Sequence, residues 1–72
     1  MKFRSKPGKF GTLYLYEVRF RDRTDPDNPF DRGRYWAYDA DHAVDRFYES
    51  LIADDGEFFT VLSVSRVKER AL

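Results

Sequence analysis

No cysteine occurs among the 72 residues, so neither a disulfide nor a thiolate metal site can reinforce the fold. A chain of this length hides only about 60% of the surface that its unfolded form exposes, and marginal stability is expected. Long apolar runs are missing too. None approaches membrane-spanning length, and Met1-Lys2-Phe3-Arg4 leads into no apolar signal-peptide core. A soluble cytoplasmic domain with no membrane partner is therefore expected. Net charge is absent as well: 13 Lys and Arg balance 13 Asp and Glu, which argues against broad affinity for nucleic acid. What is abundant is aromatic: 18% of the chain, too much for a disordered segment.

The zero net charge hides a segregation. Residues 1–23 carry +5, residues 24–30 carry −2, residues 31–57 carry −5 and residues 58–72 carry +2. Such a chain can present a basic and an acidic face at once, or the two can neutralise each other across the fold. Nine of the thirteen bases are Arg, which favours bidentate and stacked contacts.

Along the chain, residues 1–11 read as a basic N-terminal arm with a turn signal at Pro7-Gly8. Residues 12–23 form the clearest strand, with Tyr14, Tyr16, Val18 and Phe20 on one face and Leu13, Leu15, Glu17, Arg19 and Arg21 on the other. Residues 22–33 read as a long loop containing Asp25-Pro26-Asp27-Asn28-Pro29. Residues 34–38 form a second strand, with Trp36 and Tyr38 on one face and Tyr35 and Ala37 on the other. Asp39 suits a helix N-cap, and Ala40, Ala43, Val44, Phe47, Tyr48 and Leu51 make an apolar stripe up to an expected end near Ala53. Asp54-Asp55-Gly56 reads as a turn, residues 58–67 as a third strand and residues 68–72 as a charged tail. The whole is one α+β domain of ββαβ order: a three-stranded antiparallel sheet ordered 2-1-3 with one helix on one face. Both faces of the strands are apolar, so the covered face is not decided by alternation.

The other sheet face must meet water, the arm or a partner, and its aromatic residues mark a binding surface. The expected partner-binding residues are Tyr14, Tyr16, Arg19, Arg21, Arg34, Trp36 and Tyr38, together with the acidic helix residues Asp41, Asp45 and Glu49. Catalysis is not expected. His42 is the single histidine, no serine lies in a nucleophile elbow, and the glycines form no phosphate loop. Asp25, Asp27 and Asp31 lack the spacing of a calcium loop. No metal, cofactor or catalytic group is expected.

The stretch Tyr35-Trp36-Ala37-Tyr38-Asp39-Ala40-Asp41-His42-Ala43-Val44-Asp45-Arg46-Phe47, followed by Phe59-Thr60-Val61-Leu62-Ser63-Val64-Ser65-Arg66-Val67, resembles small phage- and plasmid-encoded proteins. These include RNA polymerase inhibitors of lytic phages and anti-CRISPR proteins. The resemblance covers about half the chain, rests on the strand–helix–strand pattern, and carries over no functional residue. It implies a stoichiometric, non-enzymatic inhibitor in the host cytoplasm that occludes a larger host protein or nucleoprotein complex. The alternative, from the residues themselves, is a single-stranded nucleic-acid-binding module in which sheet aromatics stack bases beside Arg19, Arg21 and Arg34. A homodimer through a strand edge or the open sheet face is compatible with either.

Overall fold

The alternating stretch after Gly11 becomes the organising strand of the domain. In a computed structural model that describes residues 2–51 and 58–69, the elements are β1 (Ser5–Gly8), β2 (Gly11–Asp22), β3 (Phe30–Ala37), α1 (Ala40–Glu49) and β4 (Phe59–Arg66). The fold is α+β, with an antiparallel sheet of four strands and one helix. β2 pairs with β3 along one edge and with both β1 and β4 along the other. The two strands on the shared edge divide it, β1 taking residues 11–14 and β4 residues 16–22.

The expected three-strand, 2-1-3 sheet is therefore incomplete. The basic arm is not irregular: Ser5–Gly8 folds back through Lys9 and Phe10, and Gly8 pairs with Gly11. Gly11 has φ +137°, a conformation that favours glycine and closes this tight hairpin. Pro7 misleads a sequence reading because it suggests a turn, yet it is tolerated in a strand at the sheet edge. At Leu15 the shared edge forks. Leu15 N–H donates to Arg4 O (3.1 Å), Arg4 N–H to Val67 O (2.9 Å) and Val67 N–H to Leu15 O (2.8 Å). Beyond this ring Phe3 bridges Lys68, and Glu69 N–H donates to Lys2 O, so the two departing segments pair with each other.

The expected 22–33 loop is also shorter, because β2 runs to Asp22 and β3 already starts at Phe30. The intervening turn satisfies itself: Asp22 Oδ1 accepts from Thr24 N–H and Asp25 Oδ1 from Asn28 N–H. Asp31 and Gly33 look like turn residues, but Gly33 is a strand residue opposite Val18. A methyl group there would lie 2.8 Å from the Tyr35 hydroxyl, so the Tyr35 ring lies over the glycine and fills its empty position.

Helix α1 settles the choice of face. Its buried Ala43 and Phe47 pack with Tyr16, Val18 and Ala37, and Tyr14, Phe20, Tyr35 and Leu51 add to the cluster. β4 serves this core through a bulge. Its register with β2 shifts between Arg19 and Phe20, so that Phe59 and Val61 before the bulge and Val64 after it all reach the core. Strict alternation cannot do this, and it explains why both faces of the segment read as apolar.

Asp39 caps the helix, with its Oδ1 accepting from His42 N–H at 2.8 Å. The helix ends at Glu49, earlier than expected, where the bonding tightens to i→i−3: Ser50 N–H also donates to Phe47 O and Leu51 N–H donates to Tyr48 O. The expected Asp54-Asp55-Gly56 turn lies outside the described residues. Asp39→Ala should cost about 1 kcal/mol. A thermal melt followed by circular dichroism should show Tm lowered by about 4–8 °C.

Candidate functional site

The face of the sheet away from α1 is basic. Cross-strand register puts Trp36 opposite Leu15, Arg34 opposite Glu17, Arg32 opposite Arg19 and Phe30 opposite Arg21. In β1, Lys6 pairs with Leu13 on the same side. Glu17 lies at the centre and is only 7% exposed, the one buried charged residue among those described. Its carboxylate accepts from Arg19 Nε (3.1 Å) and Arg32 Nη1 (3.4 Å), and Arg34 Nη2 lies 3.6 Å away.

These three arginine side chains are 49–64% exposed. Each has five N–H donors, so most of their hydrogen-bonding capacity still faces solvent. One carboxylate cannot neutralise three cations, and the cluster keeps an excess of two positive charges. Glu17 thus acts as a buried anchor. It limits the rotamers of three arginines on a pleated surface.

Aromatic groups flank the cluster at both ends. Lys6 Nζ sits 4.5 Å from the Trp36 ring centroid, and Phe30 is 62% exposed. The two rings are six residues apart on β3, or about 20 Å. Beside Phe30, a cavity of 460 Å³ is lined by Arg19, Arg32 and Leu62 among others. Leu62, at the β4 bulge, is 52% exposed. At the opposite end, a cavity of 520 Å³ lies at the forked edge between Arg4, Arg34, Val67, Lys68 and Glu69.

The residues expected to bind a partner are divided by the sheet. Arg19, Arg21, Arg34 and Trp36 share the open face. Tyr16 is 3% exposed and belongs to the core, so it is not available to a partner. Tyr14 packs against the same core. Both rings are engaged by Arg66, whose guanidinium lies 4.1 Å from the Tyr14 centroid and whose Nε donates to the Tyr16 hydroxyl at 3.1 Å. That hydrogen bond raises the Arg66 pKa above its ordinary value. Tyr38 stacks on His42 and accepts from Phe10 N–H, tying the β1–β2 hairpin to the start of the helix. Asp41, Asp45 and Glu49 are exposed on α1, which packs on the other side of the sheet.

Sequence reasoning missed Arg32, Lys6, Arg4 and Phe30 as members of the basic face and missed Glu17 as its anchor. The strand alternation already placed Glu17 between Leu15 and Arg19. The missing information was the register of a β3 that starts at Phe30, which brings Arg32 and Arg34 across to it. Among the described residues no group of three His, Cys, Asp or Glu side chains converges, and no helix is long and apolar enough to cross a membrane. Comparison with protein-family models, curated proteins and solved structures finds no match to this chain.

Proposed function

We propose that the protein is a non-enzymatic module that binds single-stranded nucleic acid on the open face of its sheet. The observation that carries this reading is the Glu17-anchored set of Arg19, Arg32 and Arg34, held between the Trp36 and Phe30 rings. Exposed guanidinium groups suit phosphate oxygens, and aromatic rings suit base stacking without sequence preference. A sheet face presents both along an extended track, which fits a single strand with splayed bases. Placing the acidic residues Asp41, Asp45 and Glu49 on the helix side removes the repulsion that a zero net charge suggests.

An occluding inhibitor of a host protein was the first expectation from sequence. It was expected to act through an aromatic and arginine patch, with blocking of a basic groove by the acidic helix face as a competing role. The arginine cluster beside two aromatic rings is the observation that favours the nucleic-acid reading.

Trp36 is the only tryptophan, which makes intrinsic fluorescence a local probe of this face. Adding a short oligothymidylate at low salt should quench it. The apparent affinity should then fall with salt, with a log–log slope of roughly −0.7 per phosphate contacted. Unchanged fluorescence together with unchanged oligonucleotide anisotropy would exclude the reading.

A further inference from the structure

We propose that the cavity at the forked sheet edge binds a terminal phosphate monoester, so that the module recognises the end of a strand. This inference rests on the nucleic-acid reading of the open face and goes beyond it. The cavity is separate from the Glu17 cluster but continuous with it through Arg34, which belongs to both. Its remaining charged walls, Arg4, Lys68 and Glu69, come from the two segments that leave β2 at Leu15 and pair with each other.

Charge selects the ligand. Among the described residues Arg4, Arg34 and Lys68 line the cavity against Glu69, and with Arg34 shared with Glu17 the two clusters together hold five cations and two carboxylates. A terminal monoester carries about −1.5 to −2 at neutral pH, against a single charge for an internal diester. Arg34 engages Glu17 through one nitrogen, which leaves its other donors for a second anion. Lys68 supplies a compact point charge, and Arg4 supplies a planar fork suited to two phosphate oxygens. The backbone ring at Leu15 fixes the chain on both sides of this site: Arg4 and Val67 are both held in it, and the chain neighbours of Val67 are Arg66 and Lys68. The volume of 520 Å³ leaves room for the phosphate and its attached sugar.

The test compares one oligothymidylate in three forms: 5′-phosphorylated, 3′-phosphorylated and with hydroxyls at both ends. Binding is read by anisotropy on the wild-type chain and on Arg4→Gln, Lys68→Gln and Arg21→Gln variants. One phosphorylated form should bind on the order of tenfold more tightly than the unphosphorylated strand, the gain of one charge-assisted contact. Lys68→Gln should abolish this preference while leaving the affinity for the hydroxyl-ended strand within about twofold, and Arg4→Gln, which also belongs to the basic face, should abolish it while weakening all three forms. Arg21→Gln, on the open face but outside the cavity, should weaken all three forms alike. Equal affinity for the three forms overturns the end-recognition inference and leaves the open-face reading intact. A preference that survives Arg4→Gln and Lys68→Gln also overturns it. Failure of the wild-type chain to bind any form overturns both.

Discussion

Replacing Arg19, Arg32 and Arg34 together with glutamine should strongly destabilise the domain, and adding Glu17→Gln should restore stability without restoring nucleic-acid binding. The three arginines compensate a carboxylate that is only 7% exposed. Removing them leaves that charge buried without a cationic partner, at a cost of about 3–5 kcal/mol. A chain of this size has roughly 4–11 kcal/mol of total stability, so the loss is a large fraction of it. With Glu17 also neutral, no charge is stranded and the melt followed by circular dichroism should return to that of the wild type. Binding should still be lost by a hundredfold or more, since three phosphate contacts each contribute on the order of 1 kcal/mol. The reverse asymmetry is also expected. Glu17→Gln alone strands no buried charge, because the arginines it releases are half exposed and can hydrate. A folded quadruple variant that binds as tightly as the wild type would remove the arginine cluster from the account.

The second large effect concerns the opposite face. Phe47 is 1% exposed and sits among Phe20, Tyr35, Tyr48 and Phe59, with centroid distances of 4.7–6.3 Å. It is the helix side chain that joins α1 to β2, β3 and β4 together. Phe47→Ala should cost about 3–5 kcal/mol through lost burial and the cavity left behind. Tm should fall by more than about 15 °C. Trp36→Ala, on the open face, should cost far less stability and act on binding instead. A thermal melt in which Trp36→Ala is the more damaging change would place the core on the wrong side of the sheet.

The contrast between Phe47 and Trp36 shows what the sequence made legible and what it did not. The helix was readable from its apolar spacing and the Asp39 cap, and β2 from its alternation, because both signals are local. The covered face was not readable. Leu13 and Leu15 make the second face of β2 apolar at one end, and the bulge at Leu62 changes the phase of β4 in mid-strand. Strand β1 was hidden by Pro7 and by its four-residue length. The site was half legible. Arg19, Arg21, Arg34 and Trp36 fall on the open face as alternation allows, but Tyr14 and Tyr16 share the opposite face with Val18 and Phe20. Glu17 becomes informative only through register, since its partners Arg32 and Arg34 lie 15 and 17 positions away in sequence. The running charge along the chain already suggested a basic and an acidic face at once, and the arginines of the sheet and the acidic residues of α1 do lie on opposite sides.

Side-chain resonances followed by NMR during titration with a short oligothymidylate at low salt test the central claim most directly. The account expects the Trp36 indole N–H and the Nε–H groups of Arg19, Arg32 and Arg34 to shift together and saturate, while the carboxylate-bearing residues of α1 (Asp41, Asp45 and Glu49) stay in place. Shifts confined to the helix, or none at any of these groups in the presence of excess oligonucleotide, would contradict it.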